Sequence, residues 1–248
     1  MTLIYAHRGA SGYAPENTFA AFDRALEMPI DGIETDIRAT SDGVLVLLHD
    51  ATVDRTTNGS GAVAGMTLAD VQQLDAGSRF AAAYASQRIP TLAAFLDRYA
   101  DRTRFWLEIK APGVEPALAA MIDERHLHDR VQFTSFDFES LRRLRATSPE
   151  ASLAFLTKEL AADTIPRCQS IGVAQISIHN STLTSAVMAA VRQAGMDVRT
   201  WGIGDKATLR RVLAMGVFGL TLNWPDWAST GVDDAIPAMG HENGGNGA

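Results

Sequence analysis

The sequence predicts an α/β protein of the TIM (β/α)8 barrel class, with a small insertion after the second strand. Short apolar segments typical of strands alternate with segments of helical period, most regularly after residue 91. This alternation indicates βαβ units and a parallel sheet, and eight β units close a barrel. The length of 248 residues suits a barrel built as one domain. An open doubly wound sheet is the alternative, but the chain has no Gly-x-Gly-x-x-Gly motif to favour it.

The N-terminal part begins with a strand-like segment, residues 3–9, in which apolar residues end in a base, a cation and a glycine. We expect a helix to follow, with Asn17 as its N-cap and Pro29 as its stop. Strand-like segments at 32–37 and 44–50 then count together as one hairpin-like β unit, because a Ser-Asp-Gly turn lies between them.

Residues 51–90 interrupt this rhythm. They are rich in Thr, Gly, Ala and Asp, and only a short piece near 67–74 has a helical pattern. We interpret them as an insertion rather than a separate domain, because the segment is too short and too poor in large apolar residues to hold a core of its own.

Beyond the insertion, helices and strands alternate without a break. The predicted helices span about residues 91–99, 115–124, 138–145, 161–168, 183–194 and 206–215. The predicted strands span about residues 104–110, 131–136, 152–156, 174–179, 198–203 and 219–223. We therefore predict one barrel domain over residues 1–228 and a mobile, polar and Gly-rich tail over residues 229–248.

Composition excludes several classes of function. The formal net charge of −7 argues against a nucleic-acid partner, which requires a basic face. Cys168 is the single cysteine, so neither an intrachain disulfide nor a cysteine metal site is expected. No apolar run approaches the roughly 20 residues that span a bilayer, and no signal-like segment precedes the first strand. We expect a cytoplasmic protein without stable membrane insertion.

Ionisable side chains follow apolar segments at the ends of several predicted strands. They are His7 and Arg8, Glu34 and Asp36, His49, and Glu108 and Lys110. In a parallel barrel the C-terminal strand ends meet at one face, where active sites form. Glu34 and Asp36 are two residues apart on a strand, so both side chains lie on one face, and the same holds for Glu108 and Lys110.

Three carboxylates inside a barrel would repel one another unless a cation lies between them. Glu34, Asp36 and Glu108 are therefore predicted to bind one divalent cation, Mg²⁺ or Ca²⁺, because the proposed ligands are all oxygen. The alternative is that each carboxylate pairs with an arginine, such as Arg8, Arg38 or Arg104.

Two histidines accompany the carboxylates. His7 and His49 are candidate metal ligands, but a hard cation gains little from imidazole. General acid–base work suits them better, because the pKa of an imidazole lies near neutrality.

These residues occur within a series of short motifs that resembles the glycerophosphodiester phosphodiesterase family. The motifs are, in order, His7-Arg8-Gly9, Pro15-Glu16-Asn17-Thr18, Glu34-Thr35-Asp36, His49-Asp50, Arg55-Thr56-Thr57-Asn58-Gly59-Ser60-Gly61, Ile89-Pro90-Thr91-Leu92 and Glu108-Ile109-Lys110. The resemblance covers about residues 3–228. No single motif is specific, but the ordered combination is.

The resemblance implies a metal-dependent hydrolase that releases an alcohol and sn-glycerol 3-phosphate from a small glycerophosphodiester. It implies that Glu34, Asp36 and Glu108 bind the metal and that the two histidines form the acid–base pair. It further implies that Arg8 and Lys110 hold the phosphate, and that the first attack can come from the glycerol 2-hydroxyl through a cyclic phosphate.

Two aromatic residues are weaker candidates for the same pocket. Trp201 matches a family tryptophan that borders the glycerol pocket, and Phe136 follows a predicted strand and is a candidate for lining it. Core packing is the alternative for both. His179 ends the sixth regular strand and is a possible pocket residue.

The chain departs from the family pattern near the glycerol end of the pocket. Gly202 and Gly204 replace polar and branched residues, and Asn223 stands where the family usually has an acid. These departures put the substrate preference in question more than the catalysis. The competing functions are a lysophospholipase D-like phosphodiesterase that uses the same site, and a non-catalytic barrel that only binds.

Overall fold

Eight parallel strands close into a barrel in the computed structural model, which describes residues 1–228. The predicted tail at 229–248 lies outside the described residues. The ring strands are β1 (Leu3–His7), β2 (Gly32–Ala39), β4 (Arg104–Ile109), β5 (Val131–Ser135), β6 (Ser152–Thr157), β7 (Gln175–His179), β8 (Asp197–Trp201) and β9 (Gly219–Leu222). Pairing of β1 with both β2 and β9 closes the ring, so the predicted TIM barrel is confirmed.

The ninth strand, β3 (Leu45–Leu47), lies outside the ring and runs antiparallel to the end of β2. Ile37 pairs with Leu47, and Ala39 pairs with Leu45. The segment predicted at 44–50 therefore does form a hairpin with β2, as the Ser-Asp-Gly turn indicates. Its strand is shorter than expected, because residues 48–50 leave the sheet and turn towards the barrel mouth.

The α-helices cover the outside of the barrel. They are α1 (Phe19–Leu26), α2 (Leu68–Val71), α3 (Leu92–Tyr99), α4 (Glu115–Glu124), α5 (Phe138–Thr147), α6 (Thr164–Ser170), α7 (Ser185–Gln193) and α8 (Lys206–Ala214). All except α2 pack apolar side chains into the main core that surrounds the strands. Among residues 1–228, none of these helices has the length and apolar character that crossing a bilayer requires.

The start of α1 corrects one expectation. Thr18, not Asn17, is the N-cap, and its hydroxyl accepts from the backbone N–H of Ala21. Asn17 has a φ of +55° and is buried. Its side-chain amide donates to Asp36 at 3.0 Å and accepts from the Thr35 hydroxyl at 2.7 Å. The side chain that was expected to cap the helix is therefore bonded to β2 instead.

The insertion at 51–90 contains one short helix, α2, and two single turns of 3₁₀ helix. It encloses a small apolar cluster separate from the main core. The cluster comprises Val46, Leu48, Val53, Val63, Val71, Ala76 and Ile89. Val46 lies on β3 and Leu48 directly follows it, so the insertion completes its apolar contacts against the rim of the barrel.

A stack of large side chains closes the interior of the barrel below its C-terminal mouth. Trp106 lies against the ring of Tyr5 on one side, and the Arg199 guanidinium lies 4.1 Å from its ring centroid. Each of the three residues is less than 5% exposed. Gly32 and Gly219 make room for the stack, because a Cβ at Gly219 would lie 2.9 Å from Trp106 and one at Gly32 would overlap the Tyr5 ring.

Replacing Gly32 by Ala should therefore destabilise the barrel. The added Cβ would lie 2.7 Å from the backbone carbonyl oxygen of Arg104 and would also overlap the Tyr5 ring, which is stacked on Trp106. We expect a loss of about 1–3 kcal/mol in the free energy of unfolding, measured by urea denaturation. Gly65→Ala is the matched control, because a Cβ there meets nothing within 4 Å. Equal stability of the two variants would contradict the packing argument.

Candidate active site

Three carboxylates from two neighbouring strands meet inside the C-terminal end of the barrel. Glu34 and Asp36 lie on β2, and Glu108 on β4 is the register partner of Asp36. One oxygen atom from each lies within 4.8 Å of the others, and all three side chains are buried. We call these residues the carboxylate cluster. Because all its donors are hard oxygens, the cluster could hold one divalent cation, and the residues predicted to do so are the ones that the barrel brings together.

Cations also contact the carboxylate cluster. Arg8 Nε lies 3.1 Å from Asp36 Oδ2, and Lys110 Nζ lies 2.7 Å from Glu108 Oε1 and 3.4 Å from Asp36 Oδ1. The alternative prediction, in which each carboxylate pairs with an arginine, thus holds for Asp36, which pairs with Arg8. Arg38 instead donates to the backbone oxygens of His49 and Lys110.

The cluster's electrostatics follow from these contacts. Burial, and then the charges of Asp36 and Glu108, raises the pKa of Glu34. Burial and the charge of Asp36 likewise raise the pKa of Glu108 against the opposing effect of Lys110. Burial alone would raise the pKa of Asp36, but the charges of Arg8 and Lys110 outweigh burial and hold the pKa of that carboxyl below its usual range. Part of the negative charge is therefore uncompensated by these two cations.

Arg199 supplies a third cation, which the sequence patterns do not single out. It is 1% exposed, lies on β8 two residues before Trp201, and lines the same cavity as Glu34 and Glu108. Burial lowers the pKa of Arg199 to about 10, and the charges of Glu34 and Glu108 oppose that shift. A charged residue in the middle of a predicted barrel strand is the one available signal, since such a residue needs an interior partner when it is buried.

The two histidines lie on the same cavity and are held by different partners. His7 Nδ1–H donates to the side-chain oxygen of Asn223 at 2.5 Å, while His7 Nε2 lies 3.9 Å from Glu34. His49 Nδ1–H donates to Asp50 at 2.6 Å. Burial, and then Arg8, lowers the pKa of His7 to about 4, and burial also lowers the pKa of His49. Both rings are thus anchored through Nδ1, which leaves Nε2 of each for a ligand.

The opposite wall of the cavity is apolar. The cavity measures about 340 Å³. Phe136 and Trp201 line it with their rings perpendicular and 5.5 Å apart, and Phe136 is 43% exposed, so the core-packing alternative is wrong for Phe136. Trp201 is half-buried, and its Nε1–H has no hydrogen-bond partner among residues 1–228.

The backbone conformation and the neighbours of Gly202 explain why a glycine occupies this position. Its φ is +79°, and a Cβ there would overlap the ring of His179. That ring packs perpendicular to Trp201 at 4.6 Å, and its Nδ1 bonds the Ser181 hydroxyl at 2.7 Å. His179 therefore lies behind Trp201 and supports the cavity wall, rather than lining the pocket.

A sequence model of the glycerophosphoryl diester phosphodiesterase family matches residues 7–227. A glycerophosphodiester phosphodiesterase of Caldanaerobacter subterraneus subsp. tengcongensis is 35% identical over 233 residues, which cover 91% of this chain and 95% of that relative. The chain belongs to the glycerophosphoryl diester phosphodiesterase family. The predicted family and enzyme class are thereby confirmed.

Solved structures of other phosphodiesterases share the fold of this chain. The glycerophosphodiester phosphodiesterase of Agrobacterium tumefaciens str. C58 superposes with a TM-score of 0.82 at 32% identity, covering 91% of this chain and 98% of the other. An Oleispira antarctica phosphodiesterase in complex with the product sn-glycerol-3-phosphate superposes with a TM-score of 0.88 at 27% identity, covering 94% and 98%. These phosphodiesterases and this chain thus share the same barrel fold.

Replacing Asn223 by Asp should raise the pKa of His7. A carboxylate at hydrogen-bond distance favours the imidazolium form, whereas the amide does not carry the charge to do so. The pKa is measured by NMR titration of the His7 ring signals. Asn58→Asp, which adds the same charge in the insertion, is the control and should leave the pKa of His7 unchanged. Identical His7 titration curves in the Asn223→Asp variant and the native protein would contradict the expectation.

The metal-free protein should lose stability as pH rises from about 6.5 to 8. Burial and mutual charge raise the pKa of Glu34 to about 8 and that of Glu108 to about 7, so the folded state binds more protons than the unfolded state in this range, and the free energy of unfolding falls. Below pH 6.5 the lowered pKa values of His7 and His49 act in the opposite direction, so the test is confined to the higher range. Urea unfolding in EDTA across this range measures the effect. Adding Mg²⁺ or Ca²⁺ near neutrality should restore stability, and Glu34→Gln should flatten the pH dependence. Stability that rises with pH in EDTA would contradict this account.

Proposed function

We propose that this enzyme hydrolyses glycerophosphodiesters to an alcohol and sn-glycerol 3-phosphate, with one divalent cation, Mg²⁺ or Ca²⁺, and with His7 and His49 as its proton-transfer pair. The observation that carries the proposal is the convergence, on one cavity, of the carboxylate cluster, two anchored histidines and the cations of Arg8 and Lys110. The Oleispira antarctica relative, which holds sn-glycerol-3-phosphate on the same fold, supports the choice of product.

Arg8 and Lys110 are suited to bind the phosphate. A phosphodiester resists attack because its anionic oxygens repel a nucleophile, and nearby cations reduce that repulsion. Both side chains line the cavity, and they contact different oxygen atoms of the Asp36 carboxylate. A cation held by the carboxylate cluster supplies Lewis-acid stabilisation of the phosphoryl oxygens when it is bound.

His7 and His49 would move the protons. Each ring is fixed through Nδ1, so Nε2 is the atom that takes a proton from the attacking hydroxyl or gives one to the leaving alcohol. In-line displacement requires the two rings on opposite sides of phosphorus. The attacking hydroxyl is the glycerol 2-hydroxyl, with a cyclic phosphate then opened by water, or it is water itself. Trapping of a cyclic phosphate distinguishes the two routes.

The apolar wall would hold the glycerol. Phe136 and Trp201 offer faces for its carbon atoms. Gly202 and Gly204 line this end of the cavity without side chains. The non-catalytic alternative is set aside, because the chain belongs to an enzyme family. The cytoplasmic location stays a prediction from the sequence.

A coupled assay for sn-glycerol 3-phosphate release tests the proposal. Glycerophosphocholine and glycerophosphoethanolamine should both yield this product, EDTA should abolish the activity, and Mg²⁺ or Ca²⁺ should restore it. His49→Ala should lower kcat by roughly 10²–10⁴-fold, because a positioned acid–base group is lost. His126→Asn, a histidine just after α4, is the control and should keep full activity.

Three outcomes would overturn parts of the proposal. Full activity after exhaustive chelation would remove the metal. Near-native kcat in His49→Ala would remove its acid–base role. Choline release from lysophosphatidylcholine, without product from either glycerophosphodiester, would favour the lysophospholipase D-like alternative.

A further inference from the structure

One guanidinium in the insertion joins two carboxylates that belong to different parts of the barrel mouth. Arg55 Nε and Nη2 donate to Asp50 at 2.7 and 3.2 Å, and Arg55 Nη1 and Nη2 donate to Glu16 at 2.7 and 2.8 Å. All three of its nitrogen atoms are therefore used, and the planar fork meets both carboxylates in a bidentate manner. Only arginine can make this arrangement, because the lysine ammonium is a single point of charge.

Each of the two carboxylates also receives a bond from a residue of the proposed active site. The Asp50 oxygen accepts from His49 Nδ1 at 2.6 Å, and the Glu16 oxygen accepts from Arg8 Nη1 at 2.9 Å. Arg55 is thus one carboxylate away from the proposed proton-transfer ring on one side and from the proposed phosphate ligand on the other. A continuous path of hydrogen bonds links His49 to Arg8 through it.

The path differs from an ordinary surface ion pair. The side chains of Glu16 and Asp50 are 19% and 31% exposed, compared with 47% for Arg55, so the cation covers two partly buried acids. The hydrogen bond from Arg55 is the largest cause of the lowered pKa of Asp50. Burial alone would raise the pKa of Glu16, but Arg55 and Arg8 outweigh burial and lower it. Both acids are therefore held as carboxylates, which accept hydrogen bonds.

The loop that carries Arg55 is itself tied down. Val53 N–H donates to the Gly61 carbonyl at 3.0 Å, and the Thr57 hydroxyl donates to the Val53 carbonyl at 2.8 Å. Val53 is fully buried in the cluster that anchors the insertion. The guanidinium is therefore presented from an ordered turn, and it can fix its partners rather than follow them.

We propose that Arg55 is a positioning residue, which holds the His49 ring and the Arg8 guanidinium in a fixed relation and so makes the placement of the insertion part of the catalytic geometry. This inference rests on the proposed function, in which His49 transfers a proton and Arg8 binds phosphate. Arg55 does not touch the substrate in this proposal, and its effect passes through Asp50 and Glu16.

Kinetics of Arg55→Met and Arg55→Lys test the proposal. Loss of the fork should lower kcat for glycerophosphocholine by about 10–100-fold, because a misplacement of about 1 Å costs this much, while KM changes by less than about threefold. Lysine should recover only part of kcat, because it keeps the charge but not the fork. Arg88→Met is the control and should have native kcat, since that exposed insertion arginine, within residues 1–228, reaches only backbone oxygens at 3.4 Å.

A double-mutant cycle provides the readout that a merely structural role would not produce. If Arg55 acts through Asp50, then Arg55→Met combined with Asp50→Asn should cost little more kcat than the worse single variant. Native kcat in Arg55→Met, or full recovery by Arg55→Lys, would overturn the positioning role. Additive losses in the cycle would overturn the path through Asp50. An inactive native protein would refute the proposed function instead, so the two failures are distinguishable.

Discussion

The cost of burying three carboxylates side by side is the constraint on which the rest of the barrel mouth depends. Each buried charge carries a desolvation penalty of several kcal/mol, and mutual repulsion adds to it. The chain meets this cost with three cations from different elements: Arg8 after β1, Lys110 after β4 and Arg199 within β8. The three positive charges equal the three carboxylates in number, and burial also raises the pKa values of Glu34 and Glu108, so protons as well as cations limit the negative charge of the cluster. In the proposed reaction, a divalent ion would displace those protons and add positive charge for a phosphodiester.

The same constraint shapes the first loop of the chain. Arg8 and Asn17 both have positive φ, at 57° and 55°, a conformation that side-chain-bearing residues seldom adopt. Arg8 N–H donates to the Glu34 backbone carbonyl at 2.8 Å and also lies 3.2 Å from the Glu34 carboxylate oxygen Oε2, and the Asn17 amide donates to Asp36. Both backbone excursions therefore place donors against the carboxylate cluster. The unusual backbone of this loop is explained by the acids that it serves rather than by the helix that follows it.

Much of the fold and the outline of the site could be predicted from the sequence, because both depend on local patterns. Alternating strand and helix periods indicate a barrel, and residues two apart on a strand share a face, so the spacing of Glu34 and Asp36 is enough to group them. The roles of Asn17, Arg199 and Arg55 could not be predicted in this way. Each depends on a partner distant in sequence, and no period or spacing encodes which long side chain reaches which acid.

The stack of Tyr5, Trp106 and Arg199 has a consequence for turnover. It separates the cavity under the C-terminal mouth, which Arg199 faces, from a second cavity at the opposite end of the barrel, which Tyr5 and Trp106 face. Among residues 1–228, the stack therefore closes the lower end of the cavity that holds the proposed active site. In the proposed reaction, the diester substrate enters and both products leave through the C-terminal mouth. A product that dissociates slowly therefore prevents the next substrate molecule from binding.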